Sequence, residues 1–177
     1  MNHEQASAST APGAPRVALK VKFFRDAAEI YAKGATGVAE GGHGFAAATM
    51  HAAGIDLRAC LDEPEVIVGP GDRVCTPAGV AIEIGAAGLA GFVFSRSGLG
   101  AKDGLTVAQG VGVIDPDYRG EIKVWLLNTS HWEQKIVRGQ RIAQLVLLPF
   151  FQANAAPCAE LGDTDRGAGG FGHTGKM

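Results

Sequence analysis

The chain has 177 residues, 46% of them hydrophobic and 19% charged, with a formal net charge of −2. That length suits one domain with a proper core, and the balance excludes a broad basic surface that grips nucleic acid by counterion release. No run approaches the roughly 18 apolar residues of a membrane helix, so neither nucleic acid nor membrane is an expected partner. Cys60, Cys75 and Cys158 are widely spaced and form no CxxC pair, which argues against a zinc site or a disulfide frame. The first residues carry Glu4 and no apolar leader, so the expected location is the cytoplasm.

Residues 1–15 are mostly Ala, Ser, Thr, Pro and Gly and read as a disordered arm. Val17, Leu19, Val21 and Phe23 alternate with Ala18, Lys20 and Lys22, the period of a half-buried strand. Asp26 could cap a short helix over Ala27–Lys33 that Gly34 ends. From Gly37 to Met50 the chain is rich in Gly and Ala and aperiodic, and reads as a loop. Short strands are then predicted over Ile55–Cys60, Val66–Val68, Val80–Ile84, Phe92–Ser95, Leu105–Ala108, Ile122–Leu127 and Arg141–Phe150. The last is the most apolar and suits a central strand. Many short strands with turns between them and almost no helical period predict an all-β fold, a sandwich, jelly roll or barrel.

Several polar segments interrupt this pattern. Arg96-Ser97-Gly98 leaves a strand into a turn, and an arginine fork beside a hydroxyl and open amides suits phosphate oxygens; a solvated surface turn has the same composition. Asp115 follows Val113-Ile114, which predicts partial burial and a carboxylate able to act as a base on water. The alternative there is a plain Asp-Pro-Asp turn with Tyr118 packed on its own strand. Arg141 and Gln144 are three residues apart and point to opposite faces of a regular strand, so a shared patch requires a bulge between them. Asp56 could face a hydrated metal ion or pair with Arg58 on the same face. The end of the chain, Arg166-Gly-Ala-Gly-Gly170-Phe-Gly-His-Thr-Gly175-Lys-Met177, surrounds one aromatic ring with glycines. It fits part of a phosphate-loop motif, but Met177 stands where Ser or Thr is needed and no helix follows.

Taken in order, Ala53-Gly-Ile-Asp56-Leu-Arg-Ala59, Arg96-Ser-Gly-Leu-Gly100, Gly112-Val-Ile-Asp115-Pro-Asp-Tyr118-Arg-Gly120, Arg141-Ile-Ala-Gln144-Leu145 and the Arg166–Gly175 tail resemble the five ordered motifs of the homotrimeric dUTPases. The resemblance implies a jelly-roll-like β-clip, a threefold homotrimer with shared active sites, and hydrolysis of dUTP to dUMP and pyrophosphate with Mg2+. It implies Asp115 as the catalytic carboxylate that activates the attacking water, and Tyr118 as the ring beneath the deoxyribose. The 109–115 segment, with Gln109, Val113 and Ile114, would be a hairpin reading uracil through its backbone. Arg96, Ser97 and Gly98 would hold phosphate, supported by Arg141 and Gln144, while Asp56 would contact magnesium through water. Lys123 sits where some members touch the nucleotide. In the tail, Phe171 would stack on uracil, and Arg166, Gly172, His173 and Thr174 would close over the phosphates.

Two departures accompany the match. Gln109 stands where bacterial members commonly have Asn, and Thr49-Met-His51-Ala52 replaces the usual entry to the first motif, after an inserted-looking 37–50 loop. A dCTP deaminase shares the fold but lacks the Gly-Phe-Gly tail, and a non-catalytic relative would have no need of Asp115, Tyr118 and Arg166 together. The implied organisation is an arm over 1–15, a β domain over 16–165 and a lid over 166–177. Ordering about ten tail residues costs on the order of 10 kcal/mol, close to what a few charge-assisted bonds and one stacked ring return. The tail is therefore expected to be mobile when empty and closed over bound nucleotide.

Overall fold

Alternating apolar residues set the scaffold. In the computed structural model, which describes residues 16–33, 43–49 and 51–170, β1 (Leu19–Phe23) turns Leu19, Val21 and Phe23 inward. It pairs antiparallel with β5 (Val80–Ile84), from Leu19 opposite Ile84 to Phe23 opposite Val80. α1 (Ala27–Lys33) is the predicted helix, but the Asp26 side chain pairs with Arg138, and it is its backbone oxygen that meets Glu29 and Ile30. Tyr31 of α1 is buried, packs edge-on against Phe45 at 5.3 Å, and uses its hydroxyl twice. It donates to Ala78 O at 3.0 Å and accepts the Arg58 N–H at 3.0 Å, so neither end of this buried polar group is left unpaired.

The remaining strands are β2 (Ile55–Arg58), β3 (Glu65–Val68), β4 (Arg73–Pro77), β6 (Leu89–Phe94), β7 (Leu105–Val107), β8 (Gly112–Ile114), β9 (Lys123–Asn128), β10 (Gln134–Val137) and β11 (Arg141–Pro149). β2, β11, β6 and β8 form one sheet in that order; β4, β9 and β7 form another; β3 pairs with β10. All these pairings are antiparallel, and the all-β, jelly-roll-like expectation holds. β11 is central to its sheet, as its apolar run requires.

The core lies between the sheets. Leu57, Val80, Leu105, Ile122, Val124, Leu126, Ile136, Ile142 and Leu145 are all essentially removed from solvent, each worth about 1.5–3 kcal/mol of burial. In β9 the alternation is explicit, with Val124 and Leu126 inside and Lys123 and Trp125 outside. Asn128 ends that strand in the core, its amide donating to Val68 O and Trp132 O at 2.8 Å each.

β4 and β10 fall outside the predicted strands. β4 reads Arg-Val-Cys-Thr-Pro and β10 reads Gln-Lys-Ile-Val, too few apolar residues each to register a period. The turn predicted after Arg96 is a π-helical one over Gly98–Lys102. Gly34 and the 1–15 arm lie outside the described residues, as do 37–42 and Met50; within the predicted loop, Ala47 bridges Ile55.

Candidate active site

The β2–β11 pairing builds the first part of the site. Gln144 stands opposite Asp56 and Ala143 opposite Leu57, but Arg141 stands opposite Arg58, so the register shifts between Arg141 and Ala143. This bulge is the one the three-residue spacing required: Ile142 and Ala143 are both buried, while Arg141 and Gln144 are both partly open. An extra residue in one strand turns the next side chain to the same face.

Asp56 is the hub. Its Oδ1 accepts the Arg96 Nε–H at 2.8 Å, and its Oδ2 lies 3.2 Å from Arg141 Nε. Two guanidiniums thus hold it, one from β11 and one from the end of β6. Arg58 joins the cluster, its Nη1 donating to Gly139 O at 2.8 Å. Burial, then the nearby Arg141 charge, hold the Arg58 guanidinium below its ordinary value, with Asp56 pulling the other way. Three arginines around one carboxylate leave a local positive excess. Arg58 was not among the predicted site residues, although the period of two places it on the Asp56 face.

Gln144 is fixed through its amide, which donates to Ser95 O at 3.1 Å, and Ser95 Oγ accepts the Val107 N–H at 2.8 Å. Gly54 lies under it: a Cβ there would come within 3.0 Å of Gln144 Oε1. Ser97 and Gly98 are exposed at the start of the π-helical turn, and the Ser97 hydroxyl makes no capping bond.

The 109–115 segment differs from the expected hairpin. β7 pairs with β9 and β8 pairs with β6, so the tight turn Val107–Gly110 carries the chain from one sheet to the other. Gly110 takes φ 83 there, open to glycine and strained for a side chain. Gln109 and Val113 are exposed, and Ile114 is half-buried opposite Gly91. Asp115 is exposed rather than partly buried, because the chain leaves β8 at Ile114 and turns outward through Pro116. The Tyr118 N–H closes that turn on Asp115 O at 3.1 Å. The Tyr118 hydroxyl donates to Glu121 O at 3.1 Å, and its ring lies over Gly120, where a Cβ would fall 2.5 Å from Cζ. Lys123 is exposed at the start of β9 opposite Pro77.

The chain brings Asp56, Arg96, Arg141 and Gln144 together and keeps Asp115 and Tyr118 apart from them. Ile114 pairs with Gly91, five residues before Arg96 on the same strand path, which at about 3.3 Å per residue is on the order of 15–20 Å. Arg166 is exposed, its Nε donating to Gly169 O at 2.8 Å. Phe171, Gly172, His173 and Thr174 lie outside the described residues. Among the described residues, no group of three or more His, Cys, Asp or Glu is placed to hold a metal ion.

These features define an all-β, jelly-roll-like protein with a cationic cluster on one sheet and a separate Asp-Tyr turn. A dUTPase family profile matches residues 42–175. The chain is 51% identical over 128 residues to the deoxyuridine 5'-triphosphate nucleotidohydrolase of Desulfitobacterium hafniense, covering 72% of this chain and 84% of that one. It is 48% identical over 129 residues to the enzyme of that name from Idiomarina loihiensis, covering 73% and 85%. Among solved structures, a Staphylococcus bacteriophage 80alpha dUTPase with dUpNHpp superposes with a TM-score of 0.68 at 22% identity, over 89% of this chain and 98% of that one. The Streptococcus mutans dUTPase gives 0.54 at 31% identity, over 60% and 85%. The chain belongs to the dUTPase family.

Proposed function

We propose that this protein is a dUTP diphosphatase that hydrolyses dUTP to dUMP and pyrophosphate. Membership of the family supports the overall reaction. The single structural observation that carries the site is the convergence of Arg96 and Arg141 on Asp56, with the charge of Arg58 beside them, a ready-made seat for a multiply charged phosphate chain.

In this reading Arg96 and Arg141 turn from Asp56 to phosphate oxygens, and Gln144, held on Ser95, keeps the strand end in place. Ser97 and Gly98 add a hydroxyl and a backbone donor. Asp115 takes a proton from the attacking water, which adds at the α-phosphorus as the bond to the bridging oxygen breaks and pyrophosphate leaves. Tyr118 presents its ring to the deoxyribose, and Gln109, Val113 and Ile114 present backbone groups to uracil, with Lys123 nearby. Arg166, Phe171, Gly172, His173 and Thr174 close the site as a lid over 166–177. Phosphoryl transfer asks mainly for positioning and charge stabilisation, so this reading assigns no side chain as a nucleophile.

Magnesium fits this donor set in one way. A single carboxylate flanked by two guanidiniums cannot hold a dication alone, but a hydrated Mg2+ carried by the triphosphate needs only one such oxygen through water. Asp56 is the residue that would meet it. When bound, the ion neutralises phosphate charge.

The separation of Asp115 and Tyr118 from the arginine cluster supports a site shared between copies. A nucleotide that touches both needs them brought close, and a second copy does this where one chain does not. A homotrimer with the β domain at 16–165 as its body is the proposed assembly. Such an enzyme acts on the nucleotide pool, so the cytoplasm is its proposed location. No helix among the described residues is long and apolar enough to cross a membrane.

The test is pyrophosphate release from dUTP, with Asp115→Asn as the comparison. Loss of a general base lowers the rate by about 10²–10⁴-fold. Equal rates for the two proteins would remove Asp115 from the role.

A further inference from the structure

Glu121 lies three residues beyond Tyr118 and is used at both ends. Its side chain is only 12% exposed. Its Oε2 accepts the Arg25 Nη1–H at 3.2 Å, its Oε1 accepts Arg25 Nη2–H, and Oε1 also takes the Gly79 N–H at 2.9 Å. Its own backbone oxygen is the acceptor of the Tyr118 hydroxyl. The ring is thus held at its far end by the residue that Arg25 anchors, and along its length by the Gly120 backbone, which leaves no room for a side chain. Arg119 braces the same turn, its Nη1 donating to Pro116 O at 2.7 Å.

Arg25 itself is unusual. It sits between β1 and α1 at φ 52, and among the described residues it is the one non-glycine residue with positive φ. Such a conformation persists where the surroundings over-determine it, and here the surroundings are a bidentate guanidinium–carboxylate pair, an arrangement with strict planar geometry. The bond to Glu121 is also the main influence raising the Arg25 guanidinium above its ordinary value. Nothing in the reaction proposed above uses Arg25 or Glu121 directly.

We infer that the Arg25–Glu121 pair is a positioning device for Tyr118, setting the height of its ring and hence the exclusion of ribonucleotides; the inference rests on the reading of Tyr118 as the ring beneath the deoxyribose. Exclusion by clash works only if the clashing group cannot retreat. A ring free to sink by about an ångström would admit a 2′-hydroxyl, whereas a ring tied to Glu121 O and backed by Gly120 cannot.

The experiment measures kcat/KM for dUTP and for UTP in the full-length wild type, Arg25→Met, Glu121→Gln and the double variant, with thermal melting of each. The expected result is a dUTP-over-UTP preference reduced about tenfold or more in each single variant, by a gain in UTP turnover. The double variant should be no worse than either single, since the two residues act as one unit. Lys33→Ala, which breaks the exposed pair with Glu29, should leave the preference unchanged. If the variants fold and keep the wild-type preference, the pair is a structural tie only and the inference is overturned. Should they fail to fold, Tyr118→Phe removes the bond to Glu121 O while keeping the ring, and an undiminished preference in that variant overturns it equally. A wild type that turns over UTP as fast as dUTP would instead refute the reading of Tyr118.

Discussion

Arg96 Nε meets Asp56 Oδ1 across 2.8 Å, joining two strand ends forty residues apart in sequence. The contact is partly shielded, with side-chain exposures of 33% and 21%, and Arg141 shares the same carboxylate. The carboxylate balances guanidiniums that would otherwise repel one another.

Replacing Asp56 by Asn tests its pairing with the arginines and its proposed contact with magnesium. The fold should lose about 1–2 kcal/mol, the lower range for charge-assisted bonds at a partly open site, read as a lower midpoint in urea. The magnesium concentration for half-maximal turnover should rise at least about tenfold. A stability loss with an unchanged magnesium requirement would leave Asp56 as an arginine partner alone.

Gly120 sets the second expectation. A Cβ there would lie 2.5 Å from Tyr118 Cζ and 2.9 Å from Cε2, so Gly120→Ala must push the ring off Glu121 O. Both residues are on the surface side of the core, so circular dichroism should report a native fold with a melting drop of a few degrees. Turnover of dUTP should fall more than about tenfold. Wild-type turnover in Gly120→Ala would show that the ring can move without consequence.

The sequence was legible where its signals are local. The period of two in Leu19–Phe23, Val80–Ile84 and Lys123–Leu127 needs only neighbouring residues, and those strands lie where the alternation puts them. The bulge in β11 was readable because Arg141 and Gln144 cannot share a face without it. The partners of Asp56 were not, since Arg96 and Arg141 reach it only through sheet pairing across distant strands. Asp115 misled for a related reason: Val113 and Ile114 form a strand, but an edge strand three residues long whose Val113 faces outward, 58% exposed. Arg25 and Glu121 carried no signal at all, because an ion pair between residues 96 positions apart has no spacing to read.

Cys60 makes stability sensitive to alkali. Burial pushes its thiol up to about 11 from 9.0, with Arg25 partly opposing, and its Sγ lies 3.4 Å from Ala78 O. The folded chain therefore keeps the proton that the unfolded chain gives up. Its contribution is fully present below about pH 9 and is lost as pH rises through about 11, at a slope of at most about 1.4 kcal/mol per pH unit. Melting temperatures of wild type and Cys60→Ala between about pH 8 and 11 check this, and the variant should show the flatter fall. In native protein a thiol reagent should modify the exposed Cys158 first and the buried Cys60 only on unfolding. Parallel pH curves for the two proteins would mean the thiol is better solvated than its burial implies.

The tail can be removed cleanly. Phe150 N–H donates to Gly88 O at 3.0 Å, and beyond it every residue from 151 to 168 is exposed. The backbone bonds there, Gly167 to Thr164 O and Gly169 to Arg166 O, are local turns. Truncation after Asp165 deletes no core contact among the described residues, so stability should stay within the range of ordinary surface changes, about 0.5 kcal/mol. Turnover should nevertheless fall at least about a hundredfold, because Arg166 and the Phe171–Thr174 segment would be missing from the closed site. The loss should appear chiefly in kcat/KM for dUTP, since in the proposed site the deleted groups would act on bound nucleotide. A truncated chain that melts early would show the segment to be structural, and one that keeps full turnover would show the site to be complete without it.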